Sequence, residues 1–304
     1  MNWQKLIKEF RVYLLLEKGL SRHSIDAYQR DIKKLASFDE NGEGSKGPLG
    51  ISQSDIELFL HHLFEIGLDA KSQARIISGI KAFFKYLLLE DLIEKNPARL
   101  IEGPKIKRKL PDVLTYEEIN LLLDCIDMSQ PLAHRNKAIL ETLYACGLRV
   151  TELVNLTLSG YYPEHGYVRV IGKNNKERIV PIAQAAIKQI ELYLQTERKQ
   201  LPIKKDFTDV IFLNRRGRKL SRVMIFHIVK NAVAVAGIEK SISPHTFRHS
   251  FASHLVEGGA DLRAVQEMLG HESITTTEIY THINNDYLQE TILLYHPASQ
   301  KNRQ

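Results

Sequence analysis

The chain has little cysteine: Cys125 and Cys146 are its two, in 304 residues. Both fall within apolar helical patterns and read as small core residues, so neither a disulfide scaffold nor a cysteine-rich metal site is indicated. No apolar run reaches about 18 residues, and no membrane span is expected. The opening Met1-Asn2-Trp3-Gln4 is not the start of a signal peptide, so a cytosolic protein is expected. HExxH and Walker sequences are missing, and carboxylates do not cluster. Metal-dependent and ATP-dependent phosphoryl transfer therefore have no support, and no cofactor is expected. His245 and His249 have the i, i+4 spacing of zinc ligands, but no third ligand or general-base glutamate is placed to complete such a site. There is no internal repeat.

What is present is an ordinary globular composition, 43% hydrophobic and 26% charged, long enough for two domains. The net charge of +6 leans toward an anionic partner. Residues 1–103 read as a bundle of four amphipathic helices. Trp3, Leu6, Ile7, Phe10, Tyr13 and Leu14 recur at helical spacing. A second helix starts near Ser21 or Ser24 and a third at the capping pair Ser52 and Asp55, with a glycine-rich loop at 41–50 between them. A fourth begins near Ser72 and stops before Asn96-Pro97. Lys71, Arg75, Lys81 and Lys85 punctuate it and offer phosphate contacts along a duplex, or simply a solvated basic face. Residues 104–111 form a basic linker between two prolines, with Lys105, Lys107 and Arg108 as further candidate DNA contacts.

A second domain, 112–304, opens on the capping box Thr115-Tyr116-Glu117-Glu118. Its next helix ends near Gly147. Arg149 and Glu152, three apart, share a face, either as a surface ion pair or as an arginine aimed at phosphate. Residues 167–173 and 177–182 alternate with period two and predict a hairpin around Asn174-Asn175, with Lys173 at the turn. A short strand is expected at 209–214. Ser243-Pro244 starts a helix whose first turn carries His245 and Arg248 on one face, and a helix N-terminus suits an anion. The fold class is thus mainly α, with a small antiparallel β-sheet in the second domain.

Arg149 and Arg248 are forked donors matched to phosphate oxygens, Tyr280 is an oxygen nucleophile, and Lys173, His245 and His271 supply acid, base and hydrogen-bond donors. Four segments carry these residues in order: Gly147-Leu148-Arg149 with Glu152-Leu153; Ile171-Gly172-Lys173 with Lys176-Glu177-Arg178; His245-Thr246-Phe247-Arg248-His249; and Leu269-Gly270-His271 with Ile279-Tyr280. Together they resemble the tyrosine recombinases, most closely the bacterial Xer type, and the likeness covers nearly the whole chain. Leu20-Ser21, Ser24-Ile25, Tyr28 and Asp31-Ile32 resemble the start of that family's helical core-binding domain.

The resemblance implies a DNA-binding core-binding domain over 1–103 and a catalytic domain with a C-terminal tail over 112–304. It implies site-specific strand exchange through a 3′-phosphotyrosyl intermediate without metal or ATP. Tyr280 is then the nucleophile, Arg149 and Arg248 hold the phosphate, Lys173 protonates the leaving 5′-oxygen, His245 is the base, His271 donates a hydrogen bond, and Glu152 orients Arg149. The implied partners are double-stranded DNA carrying a specific site and a homo- or hetero-tetramer on two duplexes, with a paralogous recombinase and a septal DNA translocase as further candidates. The tail after Ile283 is expected to dock on a neighbouring protomer. Resolution of chromosome dimers at cell division is the favoured role, because the core-binding helices begin at once, without an added arm-binding domain. A mobile-element integrase, a type IB topoisomerase and a catalytically dead DNA-binding protein are the alternatives. Two features depart from the family: Asn174 stands where glycine is common, and the segment 160–166 has no functional account.

Overall fold

The structure is a computed structural model that describes residues 2–42, 44–105, 112–172, 176–270 and 285–300. It divides into two compact units, Met1–Lys109 and Leu110–Gln304.

The first unit is helical: α1 (Trp3–Leu16), α2 (Arg22–Asn41), the single turn α3 (Gly47–Gly50), α4 (Gln53–Glu65) and α5 (Ala70–Leu89). Each long helix starts on a side-chain cap, which satisfies amide donors that the helix itself leaves open. Asn2 accepts from the Lys5 amide, Ser21 from that of Ser24, and Ser52 with Asp55 closes a reciprocal capping box. The fourth long helix starts earlier than expected. Asp69 is its cap, taking the amides of Lys71 and Ser72, so Ser72 lies in the first turn. The core between the helices is aromatic: Phe10 meets Phe83 edge-on at 5.3 Å, and Trp3 stacks on Phe83 at 5.9 Å.

The second unit comprises α6 (Tyr116–Asp124), α7 (Ala133–Cys146), α8 (Val150–Leu153), the strands β1 (Tyr161–Tyr162), β2 (Tyr167–Ile171) and β3 (Glu177–Pro181), then α9 (Gln184–Gln195), α10 (Arg222–Ala236), α11 (Pro244–Glu257), α12 (Leu262–Leu269), α13 (Asn285–Tyr295) and α14 (Pro297–Gln300). The anticipated capping box at Thr115 and Glu118 is formed in both directions. α7 is the central helix, packed on α9 and α11, and every residue from Ala138 to Cys146 is buried. Its N-terminus lacks a local cap. Glu197, far along the chain, accepts the amides of His134 and Arg135 at 3.0 and 2.9 Å instead.

The sheet is antiparallel in the order β1-β2-β3, with Val168 opposite Val180 and Val170 opposite Arg178. The puzzling segment 160–166 supplies β1 and a turn, so it has a structural use as a third strand. The Gly172 amide donates to the Lys176 carbonyl at 2.8 Å and closes the mouth of the hairpin, whose tip (173–175) lies outside the described residues. The expected strand at 209–214 is not one: it makes isolated bridges, Thr157 with Val210 and Leu213 with Lys219. The reason is competition for its carbonyls. The Arg198 guanidinium takes those of Val210 and Ile211, and of Thr208 just before them, leaving few acceptors for a partner strand.

α13 packs on its own unit through Leu288, Thr291 and Ile292, each 2% exposed, while Tyr287, Leu293 and Leu294 face outward. Among the described residues no helix is long and apolar enough to cross a membrane.

Candidate active site

Four parts of the second unit converge on one arginine cluster: the junction of α7 with α8, β3, which bears Arg178, α11 and the end of α12. α7 ends at Gly147, in the left-handed conformation at φ +56°, and the chain turns directly into α8. Arg149 occupies the cap position of α8, and Glu152 reaches back to its amide at 2.8 Å. That short turn is why the pair sits together, with the carboxylate buried and the guanidinium partly exposed. The Glu152 side chain is 1% exposed, that of Arg149 34%.

Glu152 is saturated. Its Oε1 accepts from Arg149 at 2.8 Å and Arg178 at 2.7 Å; its Oε2 accepts from the Arg149 amide at 2.8 Å and from Arg178 at 2.9 Å. Burial alone raises a carboxyl pKa. Here the bonds from Arg178 and Arg149 outweigh it and hold Glu152 below its ordinary value, firmly ionised.

Arg248 enters from α11. It donates to the Gly147 carbonyl at 2.8 Å and the Leu269 carbonyl at 2.6 Å. Burial and then the neighbouring Arg149 push its pKa down to about 10, so it stays charged at neutral pH. The third wall is the carbonyl end of α12. A helix leaves its last carbonyls without partners and carries partial negative charge there. Gly270, at φ +63°, ends α12, and three successive carbonyls each receive a different guanidinium: Met268 from Arg178 at 2.9 Å, Leu269 from Arg248, and Gly270 from Arg149 at 3.0 Å.

Three guanidinium charges against one carboxylate leave two positive charges in excess. A pocket so charged suits a phosphodiester, which carries one negative charge and gains another as an oxygen attacks it.

Of the residues singled out in the sequence, Arg149, Glu152 and Arg248 are thus brought together. His245 is exposed on the first turn of α11, three residues before Arg248. Lys173, His271 and Tyr280 lie outside the described residues, although Lys173 directly follows Gly172 and His271 directly follows Gly270. Arg178 falls within one of the four motif segments, but its residue type and position there imply no role. Its partner Glu152 is 26 residues away, and strand alternation alone gives no hint of the pairing.

In the first unit Lys71 is exposed and Lys81 half-buried, whereas Arg75 pairs with the buried Asp31. Lys105 is exposed; Lys107 and Arg108 lie outside the described residues. Cys146 is buried, which pushes its thiol pKa up and makes it inert, and no group of three metal-ligating side chains occurs among the described residues.

Comparison with known proteins identifies the family. Residues 112–286 match the phage integrase family, and residues 7–91 match the phage integrase N-terminal SAM-like domain. The tyrosine recombinase XerD of Chlorobaculum tepidum is 47% identical over 299 residues, covering 97% of both chains. This chain belongs to the phage integrase family, as a Xer-type tyrosine recombinase. The XerD of Staphylococcus epidermidis is 44% identical over 294 residues, 97% of this recombinase and 99% of the relative. Among solved structures, a XerH site-specific recombinase bound to its difH substrate before cleavage superposes with a TM-score of 0.66 at 25% identity, covering 82% of this chain and 74% of that one. A lambda integrase tetramer on a Holliday junction superposes at 0.71 with 19% identity, covering 93% and 80%, and shares the fold.

Proposed function

We propose that this recombinase breaks and rejoins DNA at a specific site, with Tyr280 as nucleophile and the arginine cluster as the phosphate seat. The observation that carries the reading is the excess of two positive charges built from Arg149, Arg178, Arg248 and Glu152 at the end of α12. The Tyr280 oxygen attacks the scissile phosphorus and gives its proton to His245. The P–O5′ bond breaks, and Lys173 protonates the departing 5′-oxygen. Arg149 and Arg248 hold the non-bridging oxygens as charge develops, and His271 donates a further hydrogen bond. The phosphotyrosyl bond keeps the energy of the broken ester, so a 5′-hydroxyl from a partner strand can reverse the step and complete exchange.

The first unit serves as the core-binding domain, with Lys71 and Lys81 on phosphates. The enzyme acts as a tetramer on two duplexes, alone or with a paralogous recombinase, and a septal DNA translocase is a candidate activator. Its role is resolution of chromosome dimers at cell division, in keeping with the relatives named XerD.

A nicked suicide duplex carrying the site recovered by selection of bound DNA tests the chemistry. Wild type is expected to trap a covalent adduct in the presence of a chelator, and Tyr280→Phe to bind the duplex without trapping it. An adduct formed by Tyr280→Phe, or cleavage that requires magnesium, refutes the reading.

A further inference from the structure

The cluster holds one more cation than phosphate binding asks for, and that cation faces inward. The Arg178 side chain is 15% exposed. All three of its nitrogens are committed: Nε to the Met268 carbonyl at 2.9 Å, and the two terminal nitrogens to the two Glu152 oxygens at 2.7 and 2.9 Å. Three of its five N–H donors are thus spent inside the protein, one from each nitrogen. An excess buried cation is costly, and stability alone is usually served as well by apolar packing. The geometry suggests what the cost achieves.

We propose that Arg178 is a positioning residue of the recombinase: from β3 it locks Glu152, and through Glu152 the Arg149 guanidinium, against the carbonyl end of α12. The proposal rests on the recombination reading above. Arg149 alone gives the carboxylate one bond to each oxygen, through its amide and its guanidinium; the forked pair with Arg178 adds a second bond to each and stiffens its plane. Glu152 then presents one lone pair to the Arg149 amide and one to its guanidinium, and the Gly270 carbonyl fixes the other side of that guanidinium. Arg178 also ties three parts of the chain together: the hairpin that leads out of Lys173, the turn that bears Arg149, and the helix end that leads into His271. The fit is close. A Cβ on Gly270 would lie 3.1 Å from the Arg178 guanidinium carbon, so glycine at that position keeps the arginine seated.

The test uses the full-length protein and single-turnover cleavage of the suicide duplex at saturating enzyme, with DNA affinity and melting temperature measured alongside. Arg178→Gln is expected to bind DNA within about threefold of wild type but to cleave roughly 100-fold more slowly, the effect of a misplaced catalytic group. Arg178→Lys stays slow, because an ammonium cannot span both carboxylate oxygens and the carbonyl. Arg178→Ala regains rate in low, non-denaturing guanidinium chloride, which wild type does not; a merely structural defect is worsened by that salt. Glu152→Gln with Arg178→Gln is no slower than Glu152→Gln alone, since both act through one carboxylate. Should the glutamine variant melt below the assay temperature, Arg178→Lys, which keeps the charge, makes the same comparison.

Cleavage by bound Arg178→Gln at the wild-type rate, or multiplied losses in the double variant, overturns the inference while leaving the recombination reading intact. Wild type that traps no adduct overturns both.

Discussion

Asp31 shows how a single residue can redirect a functional reading. It is 1% exposed at the contact of α2 with α5, its Oδ2 accepts from Arg75, and its Oδ1 has no partner. Burial keeps its carboxyl above the ordinary value despite the nearby Arg75 charge. Arg75 is one of the basic residues that the sequence offers to DNA, yet its guanidinium answers a buried acid in its own unit. Removing it strands that acid, so Arg75→Ala is expected to lower the stability of the first unit by about 2 kcal/mol, less than for a fully buried pair because half the arginine is exposed. Adding Asp31→Asn restores part of the loss. Trp3, the sole tryptophan, is buried in that unit, so its fluorescence during urea unfolding follows the right transition. Lys71→Ala, by contrast, is expected to leave that transition in place and to reduce the salt dependence of DNA binding by about one counterion. The opposite pattern would make Arg75 the phosphate contact.

At the scale of elements, the junction between α7 and α8 sets the site. Gly147 combines φ +56° with a close approach: a Cβ there would lie 2.4 Å from Cδ1 of Phe251 on α11. Its carbonyl also receives Arg248. Gly147→Ala is therefore expected to cost more than about 2 kcal/mol, from the left-handed backbone and the clash together. Phe251→Leu in the same protein should return part of the steric share, and calorimetry of the second unit would show whether it does. The glycine was legible in the sequence as a helix stop, because that role depends on local backbone alone. So were the caps near Ser21, at Ser52 and at Thr115, each of which bonds three residues along the chain. What escaped was decided at long range. The segment 209–214 has the short apolar run of a strand but loses the Val210 and Ile211 carbonyls to Arg198. The two residues of β1 are too few to carry a period. Arg178 finds Glu152 and Met268 only once β3, α8 and α12 have come together.

For the whole molecule, the division into two helical units and a small hairpin could be read from patterning, since two separate apolar sets build two cores. The ionisable groups inside the second core could not, because their burial depends on packing among α7, α11 and the end of the chain. His296 is fully buried against Tyr144 and Phe251, its Nε2 is without a partner, and burial pushes its pKa down to about 3 from 6.5. Glu141, on the same central helix as Tyr144, also has an unpartnered oxygen, and burial pushes its pKa up to about 7 from 4.5, against the opposing charge of Lys137. His254, hydrogen-bonded to Tyr144 at 2.8 Å, also has its pKa lowered by burial.

The two shifts have opposite signs in linkage. As pH falls below about 6.5 the unfolded chain takes a proton on its histidine that folded His296 refuses until about 3, so the fold loses stability toward acid. As pH rises above about 4.5 the unfolded chain releases a proton that folded Glu141 keeps until about 7, so the fold loses stability toward base. Between 4.5 and 6.5 each state binds one proton at this pair, on Glu141 when folded and on His296 when unfolded, and the two slopes cancel. Single substitutions should expose them. Glu141→Gln is expected to gain stability over wild type with rising pH, and His296→Phe with falling pH, each by up to about 1.4 kcal/mol per pH unit across that window. Only the slope of the difference is read, so a fixed packing cost from either substitution does not matter. Unfolding curves of the second unit at half-unit pH steps decide the matter: parallel wild-type and variant profiles would mean that neither group is held in the protonation state its burial imposes.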